Sequence, residues 1–154
     1  MLRRRVTLVV LVLMLALTFS ACREKPDWEI VFGSSGAEEL VLSNLDLEEI
    51  EQVEITATKL RKDGSEEEQH WRGITLKAAL EYLGISEYEG VVAESADGYT
   101  VQLDKATVDD DGTLLGMELN GNELEEGDGP VQLVVSSARS NMWVKQLSKI
   151  TVEK

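Results

Sequence analysis

The strongest constraint on the fold is that residues 28–154 divide into short apolar segments separated by turn signals. In residues 28–32 and 53–58 apolar and polar side chains alternate, which is the period of a strand with one buried face. Pairs that form turns, such as Asp97-Gly98 and Asn120-Gly121, separate the segments. The pattern predicts a single domain of the α+β class that is mainly β.

The individual strands can be placed from the same alternation and from the turns between them. The predicted strands cover residues 28–32, 39–42, 53–58, 90–94, 99–103, 114–119, 131–135 and 149–152. Residues 33–36 are predicted to turn the chain after the first strand, and the charged run at 62–68 is predicted to be a solvated turn.

One helix is clear in the sequence, over about residues 76–83. Its apolar side chains recur at the spacing that places them on one face: Leu76, Ala79, Leu80 and Leu83. Thr75 is the predicted N-cap, and Gly84 suits the left-handed position after the last turn. A shorter helix over 45–50, capped by Ser43 or Asn44, is also predicted.

The N-terminal segment has the composition of a targeting signal. Three arginines at residues 3–5 precede an apolar run over 6–19, which as a helix spans roughly 21 Å and is shorter than a hydrocarbon core of about 30 Å. A secretory signal therefore explains the run better than a permanent membrane helix. We expect residues 1–21 to be the signal, 22–27 a polar linker and 28–154 the folded domain.

Residues 19–22, Phe-Ser-Ala-Cys, resemble the lipobox of bacterial lipoproteins, although Phe19 stands where leucine is usual. The resemblance implies that Cys22 is lipidated and becomes the new N-terminus, so that the membrane is a partner through the lipid. The expected location is the extracytoplasmic face of the cell membrane. An ordinary signal peptide that happens to end before a cysteine is the alternative.

Charge and cysteine content exclude several classes of function. The chain has 15 Lys and Arg against 29 Asp and Glu, a net charge of −14, which argues against a nucleic-acid partner. A single cysteine and a single histidine exclude an internal disulfide, a multi-cysteine metal site and a histidine-rich metal site.

No local motif identifies a reaction. Residues 109–112, Asp-Asp-Asp-Gly, suggest a calcium loop, but the alternating ligands of an EF-hand are missing, so an acidic turn is the better interpretation. His70 could act as an acid or base, yet a surface or packing role is the simpler hypothesis. The sequence has no Gly-x-Ser-x-Gly elbow, P-loop or dinucleotide fingerprint. We therefore predict no catalytic residue and no metal ligand.

Several short segments resemble the motifs of a known family, and they follow one another in the same order as those motifs. Residues 70–76 (HWRGITL) and 95–99 (SADGY) resemble its "W-x-G-x-x-L … S-x-D-G-Y" core, and 117–124 resemble its "E-x-N-G-x-x-L". Residues 129–135 and 142–152 resemble "G-x-P-x-R-L-V-V-P" and "K-W-V-K-x-I-x-x-I-x-V". The family is the oxidoreductase molybdopterin-binding domain, the pterin-binding fold of sulfite oxidase, which implies that fold for the whole of residues 28–152.

The same resemblance shows departures at the positions that carry chemistry. In catalytic relatives a cysteine thiolate bonds molybdenum from a "T-C-x-G-N" segment, whose counterpart here is residues 53–60. Ala57, or its neighbour Thr56, takes the place of that cysteine, and neither supplies a soft donor. Gln132 replaces the arginine of "R-L-V-V-P", and Ser136 replaces its proline.

The resemblance implies that a surviving pocket lies between the end of residues 53–60 and the loop 136–142. Its candidate ligand-binding residues are Thr56, Ala57, Arg139, Ser140, Asn141 and Lys145. Arg139, Ser140 and Asn141 offer hydrogen bonds to a small polar ligand, although an ordinary hairpin loop is the simpler interpretation. Basic side chains that could gather there despite the acidic composition are Lys59, Arg61, Arg72, Arg139 and Lys145.

Three hypotheses of function follow from different classes. The favoured one is a non-catalytic lipoprotein that uses the fold to bind a small polar ligand or an envelope protein, with no cofactor expected. The second is a molybdopterin-dependent oxidoreductase component, similar to sulfite oxidase, that works with a redox partner. The third is a hydrolase or metal-binding protein on the same scaffold.

Overall fold

Two β-sheets form the part of the chain that the structure, a computed structural model, describes, namely residues 24–61 and 63–154. The predicted signal at 1–21 and Cys22 lie outside these residues. The strands are β1 (Glu29–Ser34), β2 (Leu40–Ser43), β3 (Val53–Leu60), β4 (Glu66–Thr75), β5 (Gly90–Ser95), β6 (Thr100–Asp104), β7 (Thr113–Leu119), β8 (Asn122–Glu123), β9 (Gln132–Val135) and β10 (Leu147–Glu153). The prediction of a mainly β, α+β fold is confirmed.

The first sheet has the strand order β2-β1-β10-β5-β6. Its central pair, β1 and β10, is parallel and joins the first and last strands of the domain, with Phe32 opposite Ile150. The remaining neighbours in this sheet are antiparallel. Because β1 is the first strand and β10 the last, their pairing places both ends of the domain in the interior of the first sheet.

The second sheet has the order β3-β4-β7-β8, and β9 also pairs with β7. β3 and β4 form a continuous antiparallel hairpin from Val53 opposite Gly73 to Leu60 opposite Glu66. The turn of this hairpin is therefore shorter than the predicted one, because residues 66–68 belong to β4. Glu66 and Glu68 are nevertheless exposed, as predicted for a solvated charged run. The first turn is also shorter than predicted, since β1 continues through Ser34.

In the part of the chain that the structure describes, two α-helices and two 3₁₀ helices connect the strands. Helix α1 (Leu76–Tyr82) confirms the predicted helix: the Thr75 side chain accepts from the Ala78 N–H at 3.1 Å, and Gly84 has a φ of +74°. The predicted short helix is a 3₁₀ helix over Asn44–Glu49. The single-turn helix α2 (Lys105–Val108) and a 3₁₀ turn over Ser140–Met142 were not predicted.

The core lies between the inner faces of the two sheets and α1. All four residues of β9 are buried, as are Leu76, Ala79 and Leu80 on the predicted stripe of α1. Two tryptophans sit at the centre: Trp71 is 2% exposed, Trp143 is 5% exposed, and their rings meet edge to face at a centroid distance of 6.0 Å. Both tryptophans are therefore core residues.

None of the helices within residues 24–61 and 63–154 has the length and apolar composition needed to cross a bilayer.

The close packing of Trp71 against Gly116 yields a prediction on stability. A Cβ atom at Gly116 would lie 2.6 Å from Cε3 of Trp71, a ring that Trp143 holds in place. We expect Gly116→Ala to lower the free energy of unfolding by about 1–3 kcal/mol, because the buried ring cannot move aside. Urea unfolding followed by tryptophan fluorescence measures the loss.

Gly127→Ala is the matched control, since nothing lies within 4 Å of the Cβ position there. Equal unfolding midpoints for the Gly116→Ala variant and the parent chain would contradict the packing argument.

Candidate functional site

A polar cleft of about 350 Å³ lies where the two sheets approach each other, and we call it the Trp143 cleft. The end of β3 contributes Lys59, the β5–β6 turn contributes Asp97 and Tyr99, and β9 contributes Gln132. The segment after the second 3₁₀ helix supplies Trp143 as part of the wall. The cleft thus draws its side chains from parts of the chain that are distant in sequence.

The β5–β6 turn forms one side of this cleft and is held by its own side chains. Asp97 accepts a hydrogen bond from the Ser95 hydroxyl and another, at 3.1 Å, from the Tyr99 N–H. These bonds, led by the one from Ser95, lower the pKa of the Asp97 carboxyl below its ordinary value. The Tyr99 hydroxyl donates to the Asn141 carbonyl at 2.6 Å and so ties the turn to the opposite wall.

The opposite wall is the segment from Ser140 to Val144. Its hydrogen bonds fix it on both sides: the Ser140 hydroxyl donates to the Leu60 carbonyl at 3.2 Å, and Val144 exchanges two main-chain bonds with Leu133. The indole N–H of Trp143 donates to the Val135 carbonyl at 2.9 Å. This wall is consequently a rigid part of the fold instead of a free loop.

Charge in the cleft comes from two lysines and one carboxylate. Lys145 forms an ion pair with Asp128, whereas Lys59 takes part in no ion pair with another described residue. Gln132, which the resemblance places at the position of an arginine, is 4% exposed and reaches the cleft with a neutral amide. The cleft therefore offers hydrogen bonds and modest positive charge, as a small polar ligand requires.

The predicted site residues divide between this cleft and the rest of the molecule. Ser140 and Lys145 line the cleft, and Asn141 lies behind it with its carbonyl bonded to Tyr99. Arg139 is exposed at the start of the second 3₁₀ helix. The expectation that the end of β3 meets the loop 136–142 agrees with the bond between Ser140 and Leu60.

Thr56 and Ala57 lie away from the cleft. Thr56 is exposed on the outer face of the second sheet, where its hydroxyl lies 3.2 Å from Nδ1 of His70. Ala57 is 2% exposed, faces the core and pairs with Gln69 across the β3–β4 ladder. Neither side chain therefore shares the cleft with Ser140 and Lys145.

The basic side chains considered in the sequence gather only in part. Lys59 and Lys145 both reach the cleft, whereas Arg61 pairs with Glu67 at 2.8 Å and Arg72 pairs with Glu118 at 3.2 Å on the outer face of the second sheet. The charges of Arg61 and Arg72 are thus paired at the surface, where each ion pair contributes little to the free energy of folding.

The residues that the sequence analysis missed are Ser95, Asp97 and Tyr99. All three lie in residues 95–99 (SADGY). The only sign of them in the sequence is a turn that contains Ser95 and Asp97, two residues whose side chains can bond the backbone. Its position beside Lys145 follows from the pairing of β5 with β10, in which Ser95 lies opposite Leu147. That pairing cannot be derived from local sequence.

The acidic turn at residues 109–112 is occupied by contacts within the fold. Asp109 accepts from the Tyr88 hydroxyl at 2.6 Å and from Lys105 at 2.7 Å, and Asp110 accepts from the Gly112 N–H. Burial, followed by the bond to Asp109, raises the pKa of Tyr88 to about 12. Within the described part of the chain, no three His, Cys, Asp or Glu side chains are placed to share a metal ion.

Whether the site fits a thiolate-bound molybdenum can be tested at Ala57. The described residues contain no cysteine, and the side chain of Ala57 is a buried methyl group. Thr56, the other counterpart of the cysteine that the resemblance offers, has an exposed hydroxyl on the outer face of the sheet and supplies no soft donor either. Two polar atoms near Ala57 on β4, Oε1 of Gln69 and Nε1 of Trp71, lack a hydrogen-bond partner, but both are sealed inside the core. The residues present do not fit a protein-ligated molybdenum.

A family model shows the family of this chain, and a solved structure shows a similar fold. The family model described as oxidoreductase molybdopterin binding domain matches residues 18–154. Among solved structures, the crystal structure of the sulfane dehydrogenase SoxCD from Paracoccus pantotrophus is similar, with a TM-score of 0.72 and 22% sequence identity. The match covers 84% of this chain and 39% of that chain, so this chain spans well under half of it. The search of curated proteins finds no match.

The carboxyl of Asp97 yields a prediction on pH dependence. Its pKa is lower in the folded chain than the ordinary 3.8, so its bonds to Ser95 and Tyr99 stabilise the fold at neutral pH. This stabilisation is lost as the pH falls below 3.8 and the carboxyl takes up a proton. We expect Asp97→Ala to unfold more easily at pH 7 and to differ less from the parent chain at pH 3.

Urea midpoints of both chains at the two pH values measure the effect, and Asp111→Ala on an exposed turn is the control. A difference between the Asp97→Ala variant and the parent chain that is the same at both pH values would contradict the role assigned to the carboxylate.

Proposed function

This chain belongs to the oxidoreductase molybdopterin-binding domain family, and from that membership we propose that it is a lipid-anchored, extracytoplasmic binding module without catalysis of its own. In this proposal the fold holds a small polar ligand in the Trp143 cleft, or carries an envelope protein, and does not ligate a metal. The family supplies the scaffold, whereas the function depends on the side chains of the cleft.

The observation that carries the proposal is the methyl group of Ala57. Molybdenum in this type of site is held through a thiolate, and an alanine provides no donor atom for it. The side chain is also 2% exposed on the core side of β3, so the position is filled by packing and not left open. Loss of the donor together with retention of the fold supports a role in binding.

The Trp143 cleft supports the same proposal from the ligand's side. Lys59, Gln132 and Lys145 offer donors, while the Asp97 carboxylate and the Ser140 hydroxyl oxygen, whose proton is donated to the Leu60 carbonyl, offer acceptors. Such a mixed set of groups suits a small polar molecule that bears both donors and acceptors.

The anchor is the second part of the proposal. The lipobox-like residues 19–22 place the acceptor cysteine two residues before the described chain begins at residue 24. Asp27 is then bonded to Asn44 by its N–H at 2.8 Å, which leaves only a short link between Cys22 and the folded domain. The expected result is a domain held close to the outer surface of the membrane.

A second candidate function is a molybdopterin-dependent oxidoreductase component with a redox partner. The family match favours it, and so do the two lysines of the cleft, since a pterin cofactor carries a phosphate that pairs with cations. In this alternative the chain would bind the pterin without a bond from the protein to the metal.

Metal analysis distinguishes the two functions. We expect the full chain, purified from cells that make molybdenum cofactor, to contain far less than one molybdenum atom per chain, because no residue replaces the thiolate. Elemental mass spectrometry measures the molybdenum content per chain, and fluorescence after denaturation measures any released pterin. A family member that keeps the cysteine, produced in the same cells, is the positive control.

Stoichiometric molybdenum or pterin in this preparation would overturn the binding-module proposal and support the oxidoreductase component.

The lipid anchor has its own test. We expect cells fed a labelled fatty acid to incorporate the label into the parent chain and not into Cys22→Ser, because only the thiol accepts the lipid. Ser20→Ala, which keeps a small residue before the cysteine, should be labelled as the parent chain is. Equal labelling of the Cys22→Ser variant and the parent chain, or no label in either, would rule out lipidation at Cys22.

A further inference from the structure

Strand β3 forms a long open edge of the second sheet. It has eight residues and pairs with β4 on one side only, in a register without a bulge. The other terminal strands in the two sheet orders are shorter: β2 has four residues, β6 has five and β8 has two. A strand edge of this kind presents main-chain groups that can pair with another strand.

The direction of each main-chain group of β3 follows from two hydrogen bonds. The Arg61 N–H donates to the Ser65 carbonyl at 2.8 Å across the hairpin, so Arg61 points toward β4. Because directions alternate along a strand, the N–H and C=O groups of Glu54, Thr56, Thr58 and Leu60 point to the open side. The bond from the Ser140 hydroxyl to the Leu60 carbonyl agrees with this assignment.

Over Glu54–Thr58 the edge has one protecting charge, the exposed Glu54, and lacks the other usual protections. This stretch contains no proline and no bulge, and the nearest lysine, Lys59, lines the Trp143 cleft. At Leu60 the edge is already covered, since Ser140 occupies its carbonyl. The free edge therefore runs from Glu54 to Thr58.

We propose that a second copy of this chain pairs with β3 antiparallel, with Thr56 opposite Thr56 of the second copy. In this register Glu54 of each chain lies opposite Thr58 of the other, and about six main-chain hydrogen bonds form. The pairing uses the free stretch and leaves Leu60 with Ser140. A register centred on Ala57 would need Leu60 and is excluded by that contact.

Charge complementarity favours a second copy as the partner. The segment 51–61, which contains β3, is acidic at its start, with Glu51 and Glu54, and basic at its end, with Lys59 and Arg61. Antiparallel pairing places the acidic end of each strand beside the basic end of the other, and no like charges face each other across the new ladder. The paired threonines are good strand formers that also bond across a ladder.

The interface is small, and each chain carries a net charge of −14, so the association is weak at low concentration. A disulfide between cysteines introduced in the two copies can capture such a weak association. Residues opposite each other in a hydrogen-bonded antiparallel pair have Cα atoms about 5.5 Å apart, which is a distance that a disulfide spans.

The experiment is oxidative cross-linking of the full chain in membranes of the producing cells. We expect Thr56→Cys to give a disulfide-linked dimer that the parent chain, with its Cys22 alone, does not give. Thr100→Cys is the matched control, because Thr100 is an exposed threonine of another edge strand, β6. No dimer from the Thr56→Cys variant, or as much from the Thr100→Cys variant, overturns the proposal.

The register has a separate test. Glu54→Cys and Thr58→Cys should each give little dimer alone and a cross-linked dimer when the two are produced together. Adding Thr56→Pro should abolish that dimer, because it removes an outward N–H without breaking the ladder to β4. Thr100→Pro should leave the dimer unchanged, and circular dichroism establishes that each variant is folded.

Cross-linking that survives Thr56→Pro, or that is strongest for Thr58→Cys alone, would overturn the proposed register. The proposal does not depend on the ligand of the Trp143 cleft, so these outcomes are independent of the metal analysis.

Discussion

The edge-to-face contact of Trp71 and Trp143 connects the core to the cleft. Trp71 belongs to β4 and packs against Gly116 of β7, where the absence of a Cβ atom makes room for the ring. Trp143 meets this ring at 88°, donates its N–H to Val135 and presents its remaining surface to the Trp143 cleft. One side chain thus fixes the wall of the site to the centre of the second sheet, and the geometry of the cleft depends on the core beneath it.

Local sequence determined the parts of the fold that local physics controls. The stripe of Leu76, Ala79 and Leu80 gave helix α1 with its Thr75 cap, because helical spacing and capping are properties of neighbouring residues. Residues 66–68 were missed as strand, because three glutamates show no alternation and only pairing with β3 makes them extended. Only one wall of the cleft, with Ser140 and Lys145, was predicted. The other wall, the β5–β6 turn, comes beside it through the pairing of β5 with β10, which local sequence does not reveal.

The family fold and its chemistry separate at Ala57. A buried methyl group packs well in β3 and preserves the sheet, so the scaffold is stable without the sulfur that would hold a metal. The polar residues around the cleft, Lys59, Asp97 and Lys145, lie outside the core, and Lys59 forms no ion pair with another described residue, whereas Lys145 pairs with Asp128. A position without a metal donor, together with a polar cleft elsewhere in the domain, is the physical basis for proposing that this chain is a binding module.

Ser140 links the cleft to the open edge of β3. Its side chain lines the Trp143 cleft, and its hydroxyl donates to the Leu60 carbonyl, which ends the free part of the edge. The free edge runs from Glu54 to Thr58, and the cleft begins beyond it at Lys59. Ser140 therefore lies at the boundary between the strand edge and the cleft, and the two surfaces use different residues of β3. The proposed second copy on β3 therefore lies on the other side of Ser140 from the proposed ligand site, so the two proposals are compatible in one molecule.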